Sequence, residues 1–176
     1  MKKILPIILC VFLLFACDKI DDLTKFDMDY DSSVVIESAA NINLPFDVVT
    51  PDVETNSESE FAVNDTRKDL IEEIKLKSLR LNITSPDNQD FSFLKSVEIF
   101  ISAEGLEEVP IAAITEVPED IGSLLELDTS DRDIKEYIKK DKFNLRLNTV
   151  TDEVLTSDCY IDVKSVFFVD AKILGI

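Results

Sequence analysis

The chain has 176 residues but no histidine, no tryptophan and only three glycines. Without histidine there is no Ser-His or Cys-His nucleophile pair and no His-liganded zinc or iron site. Glycines at 105, 122 and 175 are too scattered to build a Gly-rich phosphate loop. Carboxylates are plentiful, so residue type alone permits acid and base work of the glycosidase kind. Such clefts stack sugars on aromatic walls, and a small chain without tryptophan offers little of that surface. The expectation is a protein that is not an enzyme and carries no cofactor. Positive charge is also scarce, with 18 Lys and Arg against 36 Asp and Glu and a net charge of −18. A chain this acidic is repelled by phosphate backbones, so nucleic acid is not an expected partner. Anionic headgroups repel it too, leaving solubility or weak attraction for cations and basic partners.

A long hydrophobic run is missing as well. Ile4 to Ala16 are apolar except for Pro6, whereas a membrane span needs about 20 such residues. Lys2 and Lys3 precede the run, and its length suits the h-region of a secretory signal peptide over residues 1–16. Leu14-Phe15-Ala16-Cys17 resembles the bacterial lipobox, in which a small residue precedes an invariant cysteine. That resemblance implies cleavage after Ala16, a diacylglyceryl group on the Cys17 thiol and acylation of the new amine. Each buried CH₂ contributes about 0.8 kcal/mol, and two or more acyl chains anchor stably where one does not. Residues 17–23 then form an acidic tether. Its Asp18, Lys19, Asp21 and Asp22 resemble the export signals behind the lipidated cysteine in Bacteroidota surface lipoproteins. In enterobacterial lipoproteins an aspartate directly after the cysteine favours the inner membrane instead. The expected location is the outer membrane, lipid-anchored and displayed on the cell surface.

Cleavage would remove two lysines and no acids, leaving 16 bases, 36 acids and a net charge of −20. Cys10 would leave with the signal peptide and Cys17 would carry lipid, so Cys159 stands alone. No intramolecular disulfide is then available, and the fold must hold by packing.

The remaining residues, 24–176, read as one domain dominated by alternation. Phe26, Met28 and Tyr30 oppose Lys25, Asp27, Asp29 and Asp31. Val34 to Ile36 and Ile42 to Val49 suggest further strands, with Pro45 marking an edge or bulge. Residues 50–60 are polar and read as a loop. "NDTRKDLIEEIK" predicts a helix over 66–73. In "KLKSLRLNITSP" the parity of Ile74 and Leu76 is opposite to that of Leu79, Leu81 and Ile83, which predicts a bulge at Lys77-Ser78. "SPDNQDFSF" reads as a turn backed by two aromatics. Strands follow at Val97–Ala103, Val109–Val117 and Leu124–Leu127. Ser130 with Asp133 has the spacing of a capping box, predicting a helix near 131–140. Phe143, Leu145 and Leu147 alternate cleanly, as do Cys159, Ile161 and Val163, and Ser165–Leu174 reads as a final strand. Eight or nine short strands with two short helices in connections predict a mainly all-β fold, a single antiparallel β-sandwich of immunoglobulin-like type.

Three constellations bear on function. Asp27, Asp29 and Asp31 have the spacing that opens an EF-hand loop, but Ser32 and Ser38 stand where it needs glycine and glutamate. They read as a solvated face, and no metal site is expected. Cys159 shares parity with Ile161 and Val163 and has Asp158 beside it, so it reads as a small core residue and not a nucleophile. Phe100 lies on the polar parity of its strand, between Glu98 and Ser102, which makes it a candidate binding residue unless a helix or second sheet covers that face.

The whole pattern is similar to small Bacteroidota lipoproteins with β-sandwich bodies. That likeness is one of general character and brings no site residue beyond Cys17. The function expected is a non-enzymatic interaction module held to the membrane by its lipid. The alternative is a lipoprotein that binds glycans or calcium. The partner in either case is an unidentified protein or glycan.

Overall fold

The computed structural model describes residues 24–38 and 42–172. Cys17 and the export residues Asp18, Lys19, Asp21 and Asp22 lie outside the described residues. Within them the chain forms β1 (Lys25–Ile36), β2 (Phe46–Val49), β3 (Val53–Glu54), α1 (Ser57–Val63), β4 (Ile71–Ser85), β5 (Leu94–Ala103), β6 (Val109–Ile114), β7 (Leu124–Thr129), α2 (Lys135–Ile138), β8 (Lys142–Thr151) and β9 (Cys159–Ala171). The strands pair in the order β1-β9-β4-β7-β6-β5-β8-β2, with β3 also on β8. Every strand ladder is antiparallel.

This order makes two leaves, β1-β9-β4-β7 and β6-β5-β8-β2. They are continuous through a seam of two residue pairs, Ala112 with Thr129 and Ala113 with Asp128. The sheet therefore curls upon itself into the antiparallel sandwich, and alternation along each strand sends one set of side chains inward. On the open side β1 lies against β2 and β3. There the buried Tyr30 hydroxyl donates to the Thr55 carbonyl at 2.7 Å.

The core follows the parity of the sequence. Phe143, Leu145 and Leu147 point inward from β8, and Cys159, Ile161 and Val163 do so from β9. Tyr30, Phe143 and Phe167 meet edge to face, with ring centroids 5.4 to 5.8 Å apart. Such contacts add about 0.5–1.5 kcal/mol each beyond the area they bury. Phe91 and Phe93 are buried behind the turn that follows β4. The bulge expected at Lys77-Ser78 is present as a register shift between Leu76 and Ser78. Pro45 immediately precedes β2, an edge strand that pairs with β8.

Several elements differ from expectation. The predicted helix over 66–73 is a 3₁₀ turn, Lys68–Leu70, followed at once by β4. A second register shift between Ile71 and Glu73 lets Ile71 and Ile74 both face the core although three residues apart. That spacing mimics one face of a helix. The stretch 50–60 read as a loop contains β3 and the start of α1 instead, and α1 runs on to Val63. In α1, Phe61 is fully buried and meets Phe26 edge-on at 6.4 Å. Phe26 to Ile36 form one strand and not two, and Cys159 to Ala171 do likewise. β6 stops at Ile114, while β7 runs on to Thr129.

The capping box at Ser130 does not form. The Asp133 carboxylate accepts from the backbone N–H of Lys135, at the start of α2, and from that of Ile74 in β4, each at 3.1 Å. One side chain thus caps the helix and fastens it to the sheet, with Ile134 and Ile138 buried beneath. Burial pushes the Asp133 carboxyl up, but the Lys135 ammonium and the two N–H donors outweigh it and hold it below the usual carboxylate range.

Because neighbouring strands are antiparallel, the sandwich has two distinct ends. The near end carries Thr24, α1, the 3₁₀ turn, α2 and the close of β9. The far end gathers the connections after β1, β4, β6 and β8. Backbone hydrogen bonds tie these together: Phe91 N–H to Gly122 at 3.1 Å, Asp152 N–H to Phe93 at 3.1 Å, and Asn43 N–H to Thr151 at 2.7 Å.

Candidate functional site

Phe100 stands on the outer face of β5, opposite Arg146 on β8 and Pro110 on β6. The residue is half-buried there. The Arg146 guanidinium carbon lies 4.2 Å from the centre of its ring. That guanidinium is held by Glu108 (Nη2 to Oε1, 2.5 Å) and Asp47 (Nη1 to Oδ1, 2.6 Å). Asn148 donates to the same Asp47 oxygen at 2.7 Å. The Asn148 bond and then Arg146 keep the Asp47 carboxyl below its ordinary range. Glu108 and then Asp47 push the Arg146 pKa up. The cluster joins β2, β8, β5 and the turn before β6. It leaves the Phe100 ring stacked under a cation, with one face unavailable to a ligand.

The aspartate stripe behaves as a surface. Asp27, Asp29 and Asp31 are exposed along β1, and Asp27 is paired with Lys77. A cleft of about 310 Å³ opens between this part of β1, β3 and α1, lined by Asp27, Asp29, Glu54 and Glu60. A neighbouring cleft of about 330 Å³ includes Glu58, Lys68 and Asp141. Among the described residues, no group of three or more His, Cys, Asp or Glu side chains is placed to hold a metal ion.

Cys159 is fully buried, and desolvation raises its thiol pKa to about 11. Only a trace is thiolate near neutral pH, so the side chain is inert packing. Tyr30 is likewise raised, by burial first and then by Glu60, and remains a neutral donor.

A larger cleft, about 520 Å³, lies beside the seam between β6 and β7. Pro110, Ile111, Ala112 and Ala113 form its apolar wall, and Glu98, Asp128, Asp131 and Arg132 mark its rim. No aromatic ring lines it.

The far end has a different surface. Ile42, Leu44 and Val154 are 38%, 58% and 66% exposed, values high enough to set them apart from the core residues around them. Ile42 pairs with Thr151, which places it and Leu44 beside the connection that carries Val154. Residues 37–45, 86–93, 115–123 and 152–158 contain no lysine or arginine. Sequence reading overlooked this concentration, and also the Arg146 cluster. The gaps between basic residues are visible in the sequence, but only strand order shows that four of them meet at one end.

No protein-family model matches the chain, and no curated protein matches it either. Several solved structures resemble it in part. FlhE is 6% identical with a TM-score of 0.33, covering 83% of this chain and 98% of its own. The Triatoma virus empty capsid is 10% identical with a TM-score of 0.32, over 88% and 94%. A structure of carbohydrate-binding modules from the β-sandwich superfamily is 10% identical with a TM-score of 0.24, over 84% and 55%. Likenesses this distant carry no inference about function. Fold and surfaces together define an acidic β-sandwich with two unlike ends.

Proposed function

We propose that this protein is a non-enzymatic interaction module, anchored through lipid on Cys17 and displayed from the outer membrane at the cell surface. The lipobox-like Leu14-Phe15-Ala16-Cys17 and the acidic residues behind it support the anchor and the location. The observation that carries the interaction reading is the grouping of exposed apolar side chains at one end, where three stand against the near end's Val63. Thr24, where the chain enters the body, is at the near end, whereas Ile42, Leu44 and Val154 project from the far end. A body tethered before Thr24 presents that apolar surface away from the membrane. β1 alone, at about 3.3 Å per residue, separates the two by roughly 35–40 Å.

The test is to replace Cys17 with serine and follow membrane association, fatty-acid labelling and protease access on intact cells. The wild type should sediment with membranes, incorporate label and be cut on whole cells. Cys17→Ser should be released and unlabelled. A Cys17→Ser protein that still sediments and labels, or a wild type fully protected on intact cells, would reject the anchor or the display respectively.

A further inference from the structure

We propose that the far end docks a protein partner whose contact surface is basic around an apolar centre. This rests on the reading of the chain as an interaction module and specifies what the module binds. Single exposed hydrophobic residues are ordinary. Here Ile42, Leu44 and Val154 lie together at one end, and the cross-strand pair Val35 and Tyr160 adds partly exposed apolar area on the adjoining outer face.

Charge selects the partner. Glu37, Asp87, Glu119, Asp120, Asp152 and Glu153 are all exposed in the far-end connections. Among the described residues, none of them takes part in a salt bridge. Against them stands the exposed Lys95 at the start of β5. An apolar contact among carboxylates in this excess repels anionic lipid and acidic proteins, and steers a cationic surface inward. Two copies of this chain would set like charges face to face, which rules against self-association through this end. A basic protein surface satisfies both the apolar and the electrostatic requirement.

The full chain as isolated in detergent, whatever its state at Cys17, is titrated with a lysine–leucine peptide and with a glutamate–leucine peptide of the same leucine pattern. A photo-crosslinking residue replaces Val154 in one sample and the exposed near-end Val63 in another. The lysine–leucine peptide should crosslink from position 154 and not from 63, and the glutamate–leucine peptide from neither. Asp152→Lys with Glu153→Lys should weaken binding about tenfold, as loss of complementary charge in a contact does. Leu44→Ser should also weaken it, while Glu58→Lys with Glu60→Lys should change it less than about twofold, as expected for charges outside a contact. Amide exchange on the unsubstituted chain provides the same map, with peptide-dependent protection confined to 42–44 and 152–158.

Equal crosslinking from position 63, or equal loss from the near-end charge reversal, would overturn the proposal in favour of unspecific attraction to an acidic protein. Protection of the same amides by millimolar calcium alone would overturn it in favour of an ion site. None of these readings depends on where the cell places the protein. Failure here with Cys17 anchoring intact removes the docking surface alone, and failure of anchoring leaves this result standing.

Discussion

At the near end, α1 drives Phe61 under Phe26, Asp133 fastens α2 to β4, and Thr66 donates its hydroxyl to the Lys172 carbonyl at 2.7 Å. Lysines accompany these contacts: Lys68 meets Glu58, Lys135 meets Asp133 and Lys172 meets Glu72. At the far end the connections are held by backbone bonds and contain no lysine or arginine of their own, the nearest base being Lys95 at the start of β5. Surface ion pairs contribute about 0–1 kcal/mol each, so the near-end lysines do little for stability singly. Their effect is to neutralise, and the negative charge of the molecule is left concentrated where bases are sparse. Net charge thus describes this protein poorly, because its bases gather where the helices close the sandwich.

The comparison is broken most severely by removing the near-end plug. Phe61→Ala should cost about 3–5 kcal/mol in urea unfolding, the usual range for a buried phenylalanine. A loss below 1 kcal/mol would mean that α1 does not close the fold.

Asp133→Asn should cost about 1 kcal/mol, since a neutral amide keeps the shape but weakens two charge-assisted backbone bonds. The folded carboxyl sits below its unfolded value of about 3.9. Its stabilisation is therefore complete above pH 4 and is lost as pH falls through the lower, folded value. Denaturation midpoints measured between pH 6 and pH 2.5 should fall less steeply for Asp133→Asn than for the wild type. Parallel curves would assign the acid sensitivity elsewhere.

Arg146→Lys should lose about 1 kcal/mol, because an ammonium cannot stack on Phe100 while bonding Glu108 and Asp47 in a fixed fork. Fluorescence-detected melting would show it. A neutral result would make the cluster ornamental to stability.

Cys159→Ala should cost about 1 kcal/mol, a modest core truncation. A thiol reagent should label Cys159 slowly in the folded protein and quickly in urea, given its raised pKa and full burial. Fast labelling of the native state would place it at the surface. The smallest effect belongs to the far end, where Val154→Ser should shift the melting midpoint by no more than about 0.5 kcal/mol allows. A larger loss would show that Val154 is part of the packing.

Strand parity was readable wherever one face meets water and the other meets core. β8 and β9 alternate without interruption, and the slip at Lys77-Ser78 marks a real bulge. The same physics misleads at Ile71 to Ile74, because a bulge sets two residues against one and copies helical spacing. α1 escaped notice for the opposite reason. "SESEFAV" has one large buried apolar side chain, Phe61, and a single anchor produces no period. Phe100 was correctly placed on the outer face of its strand, but its cover comes from Arg146, a cross-strand neighbour 46 positions away. Local pattern carries no trace of such a contact. The far end is legible only after topology is known, since four separate connections contribute to it.

The twelve-residue ladder between β1 and β9 has a mechanical meaning. A load applied through Thr24 and resisted at the far end runs along the strand axis of β1. Its rungs are then strained in parallel, and many must fail together before the strand slides. A pull across the sheet would instead peel them singly. Because forced unfolding is governed by the unfolding barrier and not by equilibrium stability, this geometry gives the body greater resistance in tension than its modest size suggests.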